Sequence, residues 1–290
     1  NINASVGYSG AFGVTGALGF TINNFSISEP LSGGAGQILN FEWQFGTESR
    51  YRTFTIGFTE PWLYDTPTTL GVSLFDTRYS FNYNSARTGG SVRIGRRFKW
   101  PDDYFRGDWI LNAQRVEEDY PSFGIGLSKF TQVSLTQVIS RNSIDNPVFP
   151  TYGSNFSLSV MMSGGPLLPG NVNYHKWNLN SEWYVPLFNS SRVALYLNSE
   201  FGYIGEFEAN TEIPFNDRFY MGGTGLGYIS TTPLRGYEDQ SVGPRNANNQ
   251  IFGGRAMTRQ TLELRMALAI NPIPIYILGF AEGGNVWENW

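Results

Sequence analysis

The residues with the most distinctive chemistry stand at Leu234-Arg235-Gly236-Tyr237, inside a stretch rich in Gly, Pro and Thr that runs from Thr224 to Arg245. A guanidinium is a planar fork of donors matched to carboxylates, so this tetrapeptide reads as a tip that docks into something acidic. A connection this long inside a compact chain is usually functional or disordered. Gly236 suits either a close backbone approach or a positive φ, and Tyr237 is expected to pack against the wall the tip meets. Other chemistries find little support. His175 is the single histidine, set between Tyr174 and Lys176 near a strand start, where an interfacial residue is a better reading than a catalytic base. GxSxG and metal-ligand spacings do not occur, and with no cysteine there is no thiolate site or disulfide. The run GGTGLG at 222–227 looks like a phosphate loop but lacks the lysine and the following helix. The expectation is a chain that is not an enzyme, with no catalytic residue, no metal and no cofactor.

Composition narrows the kind of molecule that carries this tip. The 290 residues are 15% charged and 16% aromatic, with 34 glycines, whereas soluble domains carry about 25% charged residues. The mean hydropathy of -0.25 is nevertheless not that of a helical membrane protein. The longest apolar stretch, near Ile273 to Ala281, is short and broken by Pro274, far from the roughly 18 residues a spanning helix needs. Few charges, many aromatics and no long apolar run suit a membrane β-barrel. A net charge of -4 gives no basic footprint for nucleic acid. Asn1 begins directly in a strand-like pattern without a signal peptide, so the start is read as processed or trimmed.

The elements that must position the tip follow a period of two. Ile2, Ala4, Val6 and Tyr8 alternate with Asn3, Ser5 and Gly7; Leu39, Phe41, Trp43 and Phe45 alternate with Asn40, Glu42, Gln44 and Gly46. Leu262, Leu264, Met266, Leu268 and Ile270 oppose Thr261, Glu263, Arg265 and Ala267. Alternation places one set on each face of a sheet. The bulky set suits lipid, and the Asn, Glu, Arg and Gly set suits a water-filled or plugged lumen. The fold class expected is all-β, a transmembrane antiparallel up-and-down β-barrel. Its strands, about thirteen by the same periodicity, fall near 2–9, 12–24, 37–47, 51–60, 68–81, 90–98, 107–117, 126–140, 153–163, 172–186, 191–206, 256–270 and 274–283. The span 107–117 also scores as a short helix. Short turns are expected at the periplasmic rim (61–67, 141–153, 186–191) and longer loops outside (79–90, 163–172 and the long loop). Single-chain bacterial barrels have even strand numbers, so an odd count points to a miscount or an incomplete chain.

Four stretches, in this order along the chain, resemble the barrel of the outer-membrane protein-assembly insertase family (BamA-type, within the POTRA-barrel superfamily). GFTEPWL at 57–63 resembles that family's fourth strand entering a Pro-aromatic turn, and SRNSIDNPVFPTYG at 140–153 resembles its periplasmic turn with an Asp-Asn-Pro core. LRGYED resembles its loop-six motif, and GNVWENW at 284–290 resembles the segment leading into the seventh extracellular loop. The Arg-Gly-aromatic core is shared across the wider superfamily, including two-partner secretion transporters. The family's barrel has sixteen strands and is preceded by periplasmic polypeptide-transport-associated (POTRA) domains. By this resemblance residues 1–290 are a barrel domain lacking the upstream domains and the last three strands.

The resemblance implies a bacterial outer-membrane location, unfolded β-barrel proteins as clients, accessory assembly proteins of the lipoprotein kind, and the lipid bilayer as partner. It also implies that Arg235 meets acidic residues on the inner wall of the two strands after the loop. Glu263 matches the first, and its parity is independently inward. Glu282 matches the second by its spacing before Gly284-Asn285-Val286-Trp287, although Tyr276, Leu278 and Phe280 share its parity, which suggests a bulge or a different strand start. The first strand, Ile2-Asn3-Ala4-Ser5-Val6-Gly7-Tyr8, carries small residues and is expected to pair weakly and open as a lateral gate, its edge templating a client strand. The alternatives are a two-partner-secretion polypeptide transporter of the same superfamily and a passive porin with a constriction loop.

Overall fold

The computed structural model describes residues 1–9, 13–30, 33–46, 51–80, 83–121, 125–188, 190–208, 211–224, 230–270 and 273–289. Among them there is no α-helix; strands and turns dominate, with short 3-10 turns that include Leu63–Asp65 and Phe215–Asp217. The strands are β1 (Ile2–Ser9), β2 (Gly13–Phe25), β3 (Gln37–Gly46), β4 (Tyr51–Glu60), β5 (Thr68–Ser80), β6 (Asn84–Arg97), β7 (Phe105–Tyr120) and β8 (Ile125–Asn142). They continue as β9 (Gly153–Ser163), β10 (Tyr174–Pro186), β11 (Val193–Glu206), β12 (Tyr220–Met221), β13 (Thr231–Thr232), β14 (Ala256–Ala269) and β15 (Ile275–Trp287). Thirteen of them hydrogen-bond in chain order from β1 to β11 and on through β14 to β15, while β12 and β13 form a separate parallel pair.

The chain divides into two compact units. The first comprises Asn1–Arg97, Asp108–Thr136 and Met162–Asn173. Its burial runs opposite to that of a water-soluble sheet. On β2 to β5 the exposed residues include Leu18, Phe20, Trp43, Phe54, Ile56 and Leu74. On β7 and β8 the buried ones include Asp108, Glu118, Gln132 and Ser134. Glu118 is paired with Arg87 at 3.1 Å and Asp108 with Arg93 at 2.9 Å. A face of bare Trp, Phe and Leu is costly in water and favourable in hydrocarbon.

The second unit comprises Phe98–Gly107, Gln137–Met161 and Tyr174–Trp290 and has the same polarity. Along β14, Leu262, Leu264, Met266 and Leu268 are exposed, while Thr261, Glu263 and Ala267 are buried. The segment after β11 folds back onto the buried face of β10, β11, β14 and β15. Tyr174 donates its hydroxyl to Asp217 at 2.6 Å, Lys176 donates to the Asp217 carbonyl at 2.7 Å, and Lys176 lies 4.6 Å from the Phe219 ring centroid. Tyr220, Met221 and Leu234 are almost fully buried beneath this cover.

Two expectations are corrected. β6 begins at Asn84 rather than near residue 90, so most of the stretch 79–90 expected as a long external loop is strand. The residues 84–89 are polar and small, which hid the strand from an apolar periodicity; the ladder needs only backbone partners, and Ser80↔Asn84 through Leu74↔Gly90 supplies them. The strand expected over 107–117 is observed and is longer, the 16 residues Phe105–Tyr120 of β7. β15 runs on to Trp287, so Gly284 to Trp287 pair with β14 instead of leaving the sheet.

The turn between β8 and β9 shows why an Asp-Asn-Pro core is used there. Asp145 accepts the Thr151 amide at 3.0 Å, the Thr151 hydroxyl at 2.7 Å and the Tyr152 amide at 3.1 Å, while Asn146 accepts the Val148 amide at 2.8 Å. Gly153 at φ 108 closes it, since a Cβ would sit 2.2 Å from the Ser143 carbonyl oxygen. Burial pushes the Asp145 carboxyl pKa upward, but the bonds from Thr151, Tyr152 and Asn146 outweigh it and hold the group below its ordinary value of 3.8. A carboxyl lowered by folding stabilises above its unfolded pKa and loses that contribution as pH falls through the folded value. Hydrogen exchange at the Thr151 and Tyr152 amides, corrected for intrinsic rate, is therefore expected to accelerate below about pH 4. Asp145→Asn should show fast exchange already at neutral pH; protection that is independent of pH would contradict this account.

Candidate functional site

The long loop brings Arg235 onto the buried face of β14 and β15. Its Nη2 lies 2.6 Å from Glu263 Oε1, its Nε donates to Glu282 Oε2 at 3.1 Å, and its backbone N–H donates to the same oxygen at 3.0 Å. Both glutamate side chains are about 95% shielded, at 5% and 4% exposure. The geometry thus clamps Glu282 by side chain and main chain of one residue, while the outermost guanidinium nitrogen reaches the neighbouring strand.

Phe280 explains the parity that the sequence leaves ambiguous. It is the register partner of Glu263, and the Arg235 guanidinium carbon lies 3.8 Å from its ring centroid. Phe280 and Glu282 therefore share one face, and the ring is the platform on which the guanidinium lies. The irregularity of this hairpin is elsewhere, at Ala267/Ala269 on β14.

The site is larger than the three residues the sequence singles out. Glu282 also accepts the Thr261 hydroxyl at 2.8 Å and Arg259 Nη1 at 3.4 Å. Arg259 in turn contacts Glu200 on β11, and donates to Asn198 at 3.2 Å and to the loop carbonyl of Pro233 at 3.0 Å. On the other side Glu263 accepts Arg265 Nε at 2.6 Å, and Arg265 lies 4.0 Å from the Tyr196 ring centroid. Charges therefore alternate in a chain, Glu200, Arg259, Glu282, Arg235, Glu263 and Arg265, with three of each sign. Arg235 is its middle link and the one supplied by the loop. A network in which every buried carboxylate meets a cation avoids the cost of an unpaired buried charge.

The loop is shaped for this by local means. Gly236 takes φ 83, and no atom lies within 4 Å of the Cβ it lacks, so it serves the backbone turn rather than a close approach. Tyr237 does not pack against the wall; it is 56% exposed. The buried neighbour is Leu234, whose N–H donates to the Gly223 carbonyl at 3.2 Å while the Gly223 N–H donates to the Tyr237 carbonyl at 3.1 Å. A left-handed residue after Arg235 turns Tyr237 away, leaving Leu234 as the apolar anchor. The described part of the glycine run holds Asp239, which accepts the Thr224 amide at 2.9 Å, and residues 225–229 lie outside the described residues. His175 accepts the Trp177 indole N–H at 2.9 Å and sits near the rings of Tyr203 and Phe207.

β1 lies along β2 over its whole length. All eight of its residues, Ile2 to Ser9, are in register with β2, from Ile2↔Phe20 to Ser9↔Gly13. Its other edge has no hydrogen-bonded strand among the described residues. Asn1 and Thr21 exchange both backbone hydrogen bonds, at 2.6 and 2.8 Å. In an antiparallel ladder this phase directs the N–H groups of Asn3, Ser5 and Gly7 toward β2 and those of Ile2, Ala4, Val6 and Tyr8 away from it.

Sequence could have found part of what it missed. Arg259 and Glu200 have the same inward parity as Glu263, and directly opposed residues of opposite charge are a cross-strand signal. The register that makes them opposite depends on the long excursion from Glu206 to Ala256 between β11 and β14, which sequence periodicity does not supply.

Comparison with known proteins matches residues 32–290 to the Omp85 superfamily domain. A SAM50-like protein of Schizosaccharomyces pombe is 22% identical over 261 residues, covering 86% of this chain and 53% of that protein. The outer membrane protein assembly factor BamA of Neisseria meningitidis serogroup B is 29% identical over 155 residues, covering 51% of this chain and 18% of BamA. Among solved structures, BamA from Haemophilus ducreyi lacking POTRA domains 1-3 superposes with a TM-score of 0.79 at 20% identity, covering 99% of this chain and 57% of that one. CdiB from Acinetobacter baumannii gives 0.54 at 15% identity, with 99% and 53% covered. The inside-out strands and the matched domain agree: the chain belongs to the Omp85 superfamily and is an outer-membrane β-barrel protein.

Proposed function

We propose that the protein folds and inserts other β-barrel proteins into the outer membrane, with β1 as the edge that receives a client strand. The observation that carries this reading is the phase of β1: its ladder with β2 uses the N–H groups of Asn3, Ser5 and Gly7, so the donors of Ile2, Ala4, Val6 and Tyr8 face away from β2. Donors on such an edge are a template for strand addition, because main-chain bonds give affinity whatever the incoming sequence. The insertion-type relatives support the same role. Energy would come from the client's own folding. The ion chain around Arg235 braces the wall formed by β11, β14 and β15, so it acts as a structural support rather than as a centre of chemistry. Clients are unfolded outer-membrane β-barrel proteins, and accessory assembly proteins, of the lipoprotein kind, complete the machine.

Proline scanning of β1 tests the edge. Ala4→Pro and Val6→Pro each remove a donor that faces away from β2 and leave the β2 ladder intact. Ser5→Pro removes a donor that faces β2. The expected result is a pair of edge variants that fold with normal heat-modifiability yet insert a barrel client at least about fivefold more slowly. Client insertion at the wild-type rate by a folded Ala4→Pro/Val6→Pro double variant would remove β1 from the mechanism.

A further inference from the structure

The exposed face of the first unit changes character at the end of β5. Along β4 the residues Ile56, Phe54 and Arg52 share that face, and their partners on β5 are Leu74, Asp76 and Arg78. Apolar side chains thus give way within one register step to a carboxylate and then to two arginines directly opposite each other. Like charges in directly opposed positions destabilise a strand pair, so the arrangement calls for an anion.

Among the described residues there is less anion than the pair can use. Asp76 accepts Arg78 Nε at 3.3 Å and also the Thr88 hydroxyl. Arg52 makes no ion pair among the described residues, and the Arg78 side chain is 55% exposed. A cavity of about 360 Å³ opens beside them, lined also by Ser80, Asn84 and Glu117. Glu117 is held by Lys129 at 3.1 Å and by Arg115 at 3.5 Å, so its charge is already answered. Asn84 lies 3.5 Å from Asp119. Among the described residues the surroundings therefore hold four cations against three carboxylates, in a protein whose net charge is -4.

We propose that Arg52 and Arg78 bind the terminal phosphate of a lipid headgroup. Two guanidinium forks match a phosphomonoester dianion. The apolar strip of Phe54, Ile56 and Leu74, exposed at about 40–60% each, runs from the same two positions and offers acyl chains a continuous surface. A free anion would use the forks alone; only a lipid uses both. Basic positions bordering a hydrocarbon-facing surface are where anionic headgroups are held.

Native mass spectrometry of the full chain in detergent, with phosphatidic acid as probe, tests this. The wild-type protein is expected to retain phosphatidic acid about tenfold better than phosphatidylcholine, whose phosphate is a diester masked by choline. Arg52→Gln/Arg78→Gln should erase that preference while heat-modifiability stays normal, and Leu74→Ser should weaken lipid retention. Equal retention of the two lipids by the wild-type protein overturns the proposal without any variant. Retained preference in the folded double variant overturns it as well. Displacement of the lipid by an equimolar amount of inorganic phosphate would reassign the pair to a free anion.

Discussion

Arg235→Ala is expected to release the long loop from β14 and β15 and to lower the stability of the wall by about 2–4 kcal/mol. Breaking a fully buried ion pair costs about 3–5 kcal/mol because the remaining charge is left without a partner. Two features reduce that figure here. The guanidinium is 38% exposed, and each glutamate keeps a second cation, Arg259 for Glu282 and Arg265 for Glu263. A third feature acts the other way. Removing the middle link leaves two carboxylates facing each other on adjacent strands, with Phe280 uncovered beneath them. Arg235→Lys should recover only part of the loss, since one ammonium cannot span both glutamates in the geometry of the fork. The readouts are heat-modifiability, the denaturation midpoint and client insertion. Glu282→Gln is expected to cost more than Glu263→Gln, because Glu282 binds Arg235 through both side chain and main chain. Wild-type compactness and insertion in both Arg235 variants would show that the docked loop carries no structural load.

How far the site was legible depends on which physical signal each residue carries. Strand positions follow from alternation, and where the alternating sets are bulky against polar, as on β14, the expected bounds lie within a residue of the observed ones. Where a strand is made of small and polar residues, as at 84–89, the side-chain pattern is silent although the backbone ladder is complete. Arg235 and Glu263 are readable, one from its motif and one from its parity. Glu282 is reached only through resemblance, because the tyrosine, leucine and phenylalanine of the same parity argue against an inward face. The structure removes that conflict: an inward Phe280 is the surface on which the arginine lies. Arg259, Thr261 and Glu200 were missed because their roles depend on register across strands far apart in sequence.

Glycines make the same point and supply the second large effect. The motif glycine, Gly236, attracts attention in the sequence, yet its missing Cβ would meet nothing within 4 Å. Gly236→Ala is expected to cost only the strain of a left-handed alanine, about 1 kcal/mol. Gly254, which no motif marks, is far more constrained. A Cβ there would lie 2.2 Å from the Trp287 carbonyl oxygen and 2.5 Å from Val286 Cγ1. That carbonyl accepts the Arg255 N–H at 2.9 Å, and the neighbouring pair Ala256↔Trp287 closes the β14–β15 ladder. Gly254 also exchanges both backbone bonds with Phe219, at 2.9 Å each, so it cannot move away without lifting the loop. An added methyl must therefore displace backbone on one side or the other. Gly254→Ala is expected to cost about 2–4 kcal/mol, combining overpacking with at least one lost hydrogen bond. Because Phe219 and Arg235 belong to one folded-back segment, Gly254→Ala and Arg235→Ala should be less than additive, each having already loosened the seat that the other damages. Thermal unfolding of the two singles and the double in the same lipid would show this. A Gly254→Ala protein as stable as Gly236→Ala would mean that the loop does not depend on close approach at the end of β15.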